Sequence, residues 1–310
     1  MIRLNPFRIV PAMLVYSIAL ADPPTVPAQP GTLNAINGEV SINGIPVNSI
    51  SGEPRVAPEA RQIIRTGQGM AEILLNPGSF LRLRKASELT LETDGTPEIR
   101  ATLLKGEALI EVLDADAALT IKQNGVITIL WNPGLYEFNE NQSLIAIYAG
   151  QARLNKAHKQ LAASAGFGVR TRRFLVFPTP PDPGSALFLW SRSRSQQLSS
   201  ESRVSAQENN GATRSTWPQW HWDPWSGSYT FLSASGFVTG PFGWPYFSPG
   251  YAPDSIPVHH GDSWLYGPPV LSNPGLGNSG PTHALEPKRG KVTPTVPLTA
   301  PGEPQFPNNK

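Results

Sequence analysis

Ile64-Arg65-Thr66-Gly67, running into Ala71-Glu72-Ile73-Leu74-Leu75-Asn76-Pro77-Gly78-Ser79-Phe80-Leu81-Arg82-Leu83, sets a glycine against alternating apolar residues and then places a turn between two such runs. Three other segments share the design: Ile36-Asn37-Gly38-Glu39-Val40-Ser41-Ile42, Leu104-Lys105-Gly106-Glu107-Ala108-Leu109-Ile110 and Tyr148-Ala149-Gly150-Gln151-Ala152-Arg153-Leu154. Alternation with period two marks a strand with one buried face, and Asn-Pro-Gly-Ser between two such runs is hairpin chemistry. The chain therefore reads as mainly β.

Turn signals at Asn43-Gly44, Gly52-Glu53-Pro54, Asp94-Gly95, Asn124-Gly125, Asn132-Pro133-Gly134 and Asn139-Glu140-Asn141 extend the pattern from Gly31 to Phe177. Short strands joined by short turns favour an antiparallel sandwich or roll over βαβ units. Ile121, Val126, Ile127, Ile129, Leu130, Tyr136, Phe138, Leu144, Ile145, Ile147 and Tyr148 are the densest apolar positions and the expected core strands.

The 310 residues include 33 prolines and 28 glycines, unevenly placed, so one core domain is expected. Arg3 and Arg8 precede an apolar run from Ile9 to Leu20, with Ala19-Leu20-Ala21 as a small-residue cleavage site, which reads as a signal peptide over 1–21. That run falls short of the ~20 apolar residues a spanning helix needs. The mature chain is expected to be exported, to the periplasm or outer envelope, with no transmembrane span. The chain has no cysteine, which rules out disulfide bracing and thiolate metal sites. A formal net charge of +2 gives no reason to expect a nucleic-acid partner.

Residues 22–30, with Pro23, Pro24, Pro27 and Pro30, read as a spacer biased to polyproline II geometry. After the β domain (31–177) comes a connector, 178–215, in which Ser185 caps a short helix starting at Ala186. Leu187 and Trp190 are expected to pack on the β domain, with Arg192, Arg194 and Arg203 solvated. An aromatic segment follows at 216–266. The last stretch, 267–310, is rich in proline and glycine and is expected to be disordered.

The segment from Gly31 to about Arg170 resembles the FecR domain, a β-rich periplasmic domain. The resemblance rests on Asn37-Gly38-Glu39-Val40, Ile64-Arg65-Thr66-Gly67 with Ala71-Glu72-Ile73 and Pro77-Gly78-Ser79, Leu104-Lys105-Gly106-Glu107-Ala108, and Tyr148-Ala149-Gly150-Gln151-Ala152. Signalling members of that family imply a sensor linking an outer-membrane receptor to a cytoplasmic sigma factor. This sequence departs from them in two places: its apolar segment begins within ten residues of Met1, and the family's Arg-Gly-Thr step reads Leu130-Trp131-Asn132-Pro133-Gly134. It is more similar to exported stand-alone members with C-terminal regions rich in tryptophan and proline.

Trp217, Trp220, Trp222, Trp225, Tyr229, Trp244 and Tyr246 are the candidate binding residues. Interleaved with proline and glycine, they suit neither a regular helix nor a central strand. Exposed rings of this kind stack on sugars, enter a membrane interface or pack on protein; rings folded back would instead cover an open face of the β domain. Both readings stand at this level. His221 with Asp223, His259-His260 with Asp262, and His158 show no diagnostic ligand spacing, so no metal or cofactor is expected. Glu92, Asp94, Glu98, Glu107, Glu111, Asp114 and Asp116 are expected on the wet face of a sheet, and Arg170-Thr171-Arg172-Arg173 at a solvated strand end. No nucleophile elbow, phosphate loop or dinucleotide fingerprint is present, so no enzyme is expected. The leading expectation is a non-catalytic envelope protein engaging an envelope protein or polysaccharide. The alternatives are a FecR-type transducer between receptor and sigma factor, and a glycan-active enzyme.

Overall fold

The computed structural model describes residues 28–47, 61–92, 98–114, 119–209 and 217–252. The expected signal peptide, spacer residues 22–27, Asp94, Asp116, the His259-His260-Asp262 group and the tail 267–310 lie outside the described residues. In chain order the strands are β1 (Leu33–Asn37), β2 (Val40–Ile42), β3 (Ile45–Val47), β4 (Arg61–Thr66), β5 (Met70–Leu74), β6 (Ser79–Leu83), β7 (Glu88–Glu92), β8 (Ile99–Lys105) and β9 (Glu107–Val112). They continue as β10 (Leu119–Gln123), β11 (Val126–Leu130), β12 (Gly134–Asn139), β13 (Leu144–Ala149), β14 (Gln151–Lys156), β15 (Lys159–Ser164), β16 (Phe167–Arg170) and β17 (Leu175–Pro178). Helix α1 (Ala186–Glu208) follows, then β18 (Gln219–Asp223), β19 (Ser228–Leu232), β20 (Phe237–Thr239) and β21 (Pro245–Phe247).

Two sheets form a sandwich. Sheet A has the order β1-β5-β6-β9-β12-β13-β16-β17, and sheet B has the order β15-β14-β11-β10-β8-β7-β4-β2-β3. The expected hairpin at Asn76-Pro77-Gly78 is present: β5 and β6 pair antiparallel, and Ser79 donates its amide to the Asn76 carbonyl at 2.9 Å. One pairing departs from the antiparallel plan, because β8 and β10 run parallel from Leu119 opposite Ile99 to Lys122 opposite Thr102.

The repeated glycines turn out to be corners between the sheets. The chain passes from sheet A to sheet B at Gly38 and Gly150, and from sheet B to sheet A at Gly67 and Gly106. At such a corner the strand bends sharply and two backbones approach closely, which a side chain would prevent. Gly106 shows why: its φ is +85°, and a Cβ there would lie 2.6 Å from Ser87 Cα.

Between the sheets lies the main core, with Ile73, Leu81, Ile110, Tyr136, Phe138, Ile145, Ile147, Leu89, Ile121 and Val126 buried. In β6, β9 and β12, however, every residue is buried, so sheet A is covered on its other face too. Its outward positions alternate with the core ones: Glu72 and Leu74, Phe80 and Arg82, Leu109 and Glu111, Leu135 and Glu137, Ala146 and Tyr148. Glu107 and Glu111, expected on a wet face, are therefore buried, because a third layer of helix and hairpins lies over them.

The helix is 23 residues long, well beyond the short element expected. Ser185 caps it, its Oγ accepting the Phe188 amide at 3.2 Å. Its buried face includes five serines (Ser191, Ser195, Ser199, Ser202 and Ser205), at the three- and four-residue spacing of one helix face. Leucine at those places would have announced a long helix, whereas small hydroxyl residues let neighbouring backbone come close.

Candidate functional site

The third layer consists of α1 and two hairpins built from the aromatic segment. β18 pairs with β19, which sets Trp220 opposite Phe231 and Trp222 opposite Tyr229. β20 pairs with β21 across the turn Gly240-Pro241-Phe242-Gly243-Trp244. Prolines and glycines confine these strands to two-stranded ribbons.

Hydroxyl-to-backbone bonds in both directions hold the ribbons to α1. Ser199 Oγ donates to the Pro245 carbonyl at 2.6 Å, Thr230 Oγ1 donates to the Leu198 carbonyl at 2.6 Å, and the Phe247 amide donates to Ser202 Oγ at 3.0 Å. On the other side Asn34 of β1 acts as a strand neighbour to β19. Its Oδ1 accepts the Tyr229 amide at 2.7 Å, and its Nδ2 donates to the Tyr229 carbonyl at 2.9 Å. Ring contacts add apolar burial: Trp220 meets Phe80 edge to face at 5.0 Å, Trp222 meets Tyr229 at 5.0 Å, and Phe188 meets Phe242 at 5.3 Å. Each such pair contributes ~0.5–1.5 kcal/mol beyond its buried area.

Beneath this layer lies a buried ionic lattice. Arg82 donates to Glu72 and to Glu111, both at 2.7 Å, and no side-chain surface of the three groups is exposed. From α1, Arg194 reaches Glu72 at 2.8 Å, and Ser195 Oγ donates to Glu111 at 2.8 Å. Asn34 Nδ2 also donates to Glu72, at 2.9 Å. The expectation that Arg194 is solvated is thus corrected, since the acidic centre of sheet A draws it in.

The two carboxyls respond differently to the same guanidinium. Burial pushes Glu72 up, but Arg194 and Arg82 together outweigh it and hold its pKa at about 2. Glu111 faces the same burial with only Arg82 as a cationic partner, and burial wins, so its pKa is raised. Glu137 is also buried and has no cation bonded to it. Desolvation brings its pKa to about 7, against the hydrogen bond that Tyr148 donates at 2.7 Å and with the help of Glu107 and Asp182.

The candidate residues divide clearly. Tyr229 and Tyr246 are buried, Tyr246 completely, with its hydroxyl donating to the Ser195 carbonyl at 3.1 Å; neither offers a ring face to a ligand. Trp220, Trp222 and Trp244 are half-buried. Trp217 and Trp225 project outward, 73% and 91% exposed. Trp225 stands at the tip of the β18–β19 hairpin, where its amide donates to Asp223 Oδ1 at 2.9 Å and fixes the turn. His221, in β18, has its pKa lowered by burial. Among the described residues no group of three or more His, Asp or Glu is placed to hold a metal ion. A cleft of about 210 Å³ between the β12–β13 end and the β20–β21 turn, lined by Pro133, Gly134, Tyr148, Thr239, Pro241 and Gly243, presents no charged side chain.

No family model matches the chain, and no curated protein does. Two crystal structures of candidate anti-sigma factors from Parabacteroides distasonis are similar to it. One, at 2.50 Å resolution, is 10% identical and covers 50% of this chain and 68% of its own, with a TM-score of 0.34. The other, at 1.65 Å, is 10% identical and covers 47% and 75%, with a TM-score of 0.33. The functional reading rests on the geometry of this chain.

Proposed function

We propose that this chain is a non-catalytic, exported envelope protein whose β-sandwich carries a rigid aromatic layer as a docking surface for another polypeptide. The supporting observation is Trp225: a 91% exposed indole on a fixed turn, in a hairpin whose other rings are anchored in the body of the protein. Tryptophan dominates the energetic centres of protein interfaces, and the backbone that carries Trp225 is fixed by its amide bond to Asp223. The enclosed carboxylates fit a scaffold role, because Glu72 and Glu111 are tied to Arg82 with no exposed surface.

The test uses the full chain as bait against solubilised envelope proteins, with cross-linking and mass spectrometry. One defined protein recovered by the native chain and lost by Trp225→Ala supports the reading. Equal recovery by both overturns it. Export is checked separately by sequencing the mature N-terminus from the soluble envelope fraction, expected at Asp22.

A further inference from the structure

At one edge of sheet A, β16 and β17 are joined by the turn Thr171-Arg172-Arg173-Phe174. The turn is fixed from within. The Thr171 amide and Oγ1 both donate to the Ser143 carbonyl, at 2.8 and 3.1 Å, the Phe174 amide donates to the Arg170 carbonyl at 2.7 Å, and the Phe174 side chain is buried in the main core. Arg172 and Arg173, between these two anchors, are left exposed. The β14–β15 turn lies against them, because Lys156 Nζ donates to the Thr171 and Arg172 carbonyls at 2.7 and 3.2 Å.

Five cations, Lys156, Lys159, Arg170, Arg172 and Arg173, thus gather at one end of the sandwich, and the carboxylate that acts on them is Glu140, through Arg172. Exposed arginines elsewhere are paired: Arg61 with Glu92 at 3.8 Å, Arg65 with Glu88 at 2.9 Å, and Arg100 with Glu98 at 2.8 Å. Here the side chains of Lys159, Arg172 and Arg173 donate no hydrogen bond and form no ion pair among the described residues. Lys156 and Lys159 also stand directly opposite each other across the β14–β15 hairpin, an arrangement of like charges that costs stability. An anion brought to this end relieves that repulsion. The formal net charge of +2 for the whole chain hides the concentration.

Directly after the basic turn, Leu175 and Val176 are 58% and 42% exposed. They alternate to opposite faces of β17, and both reach solvent because β17 ends sheet A. The register sets Leu175 opposite Arg170, whose guanidinium lies over the Phe177 ring at 5.0 Å. Cations around exposed aliphatic side chains suit a surface that rests on a membrane: the charges meet phosphate headgroups, and the aliphatic groups enter the boundary between headgroups and acyl chains. A soluble polyanion would use the cations and leave Leu175 and Val176 in water.

We propose that this tip, with Lys159, Arg172, Arg173 and Leu175 as its contacts, is a peripheral docking site for an anionic lipid surface. It lies on different strands from Trp225 and stands independently of the docking role proposed above.

The test is co-sedimentation of the full-length mature chain with vesicles of phosphatidylcholine alone, and of phosphatidylcholine with phosphatidylglycerol in about equal parts. Saturable binding to the anionic vesicles only is expected, weakening as salt rises from ~0.05 to ~0.5 M because screening shortens the reach of the charges. Each cation at an anionic surface contributes on the order of fivefold in affinity, so the double variant Arg172→Gln, Arg173→Gln should bind about tenfold or more weakly. Leu175→Ser should weaken binding about threefold or more. These three side chains are exposed, so the variants keep the fold, which circular dichroism verifies. No binding to anionic vesicles, equal binding to both kinds, or an affinity unchanged in either variant overturns the inference. If Leu175→Ser alone is without effect and soluble polyphosphate competes fully, the cations serve a polyanion and not a bilayer. If sedimentation velocity shows a dimer that Leu175→Ser dissolves, while vesicles stay unbound, a second copy takes the β17 edge and the lipid site falls.

Discussion

Arg194→Met is the sharpest perturbation of the buried lattice. Methionine keeps the length and apolar stem of arginine, so the change removes a guanidinium with little loss of volume. In the native protein Glu72 is ionised with two cationic partners, at 2.7 and 2.8 Å. Losing one leaves it in the position of Glu111, where burial outweighs a single arginine. Breaking a buried ion pair from one side costs about 3–5 kcal/mol, a large part of the ~5–15 kcal/mol that stabilises a typical domain.

The pH dependence gives the effect its signature. Native Glu72 has a folded pKa of about 2, below its ordinary 4.5, so it contributes stability above pH 4.5 that is lost as pH falls through 2. In the variant the folded pKa rises, and that contribution disappears or reverses. The difference between native and variant should therefore be largest at pH 7 and already smaller at pH 4, because Glu72 in the variant takes up a proton above pH 4.5 while native Glu72 holds its charge down to about pH 2. Urea denaturation followed by tryptophan fluorescence at pH 7 and pH 4 measures it. Adding Glu72→Gln closes a double-mutant cycle in which Arg194→Met costs far less. A loss under ~1 kcal/mol at pH 7, or one of equal size at both pH values, would refute the reasoning.

Glu137→Gln tests the opposite sign. With a folded pKa of about 7, Glu137 favours the folded state at low pH, and that contribution is lost as pH rises from 4.5 through 7. The variant should be more stable than native at pH 8, by up to ~3 kcal/mol for a shift of this size, and about equal to it at pH 4, as thermal melts at the two pH values would show. Gly106→Ala should destabilise by ~1–3 kcal/mol, because a Cβ meets Ser87 where φ is +85°; unchanged urea midpoints would contradict the corner reading. Ile147→Asp puts a charge into a fully buried site between the sheets, and circular dichroism should show no cooperative melting transition.

The sandwich was legible because its strands alternate and its turns carry their own chemistry, as at Asn76-Pro77-Gly78. The four glycine segments were legible as a pattern, but not as sheet crossings. The corners at Gly38, Gly106 and Gly150 take the same positive φ as a hairpin turn, and only the pairing partners of the flanking strands tell the two apart. The length of the helix was hidden because serine takes five of its buried positions. Five buried serines give a helix a polar composition; Ser199 and Ser202 bond hairpin backbone and Ser195 bonds Glu111, contacts that weaken any periodic apolar signal. The ionic lattice was hidden for a related reason. Glu72, Arg82 and Glu111 alternate with core residues, as solvent-facing positions would. Leu74, Phe80 and Leu109 share their face, and that was the available sign of a covering layer. Among the aromatics the sequence did not separate Trp225 from Tyr246, because exposure depends on which ring faces sheet A.

The central claim is that the aromatic segment is a fixed layer of the domain presenting Trp225 outward. Hydrogen exchange with mass spectrometry on the full chain tests it most directly. Slow exchange is expected through β19 and β21, comparable to β9 and β12, with fast exchange confined to the turn around Trp225. Exchange of residues 219–247 at the rate of unstructured chain, with the sandwich still protected, would contradict it.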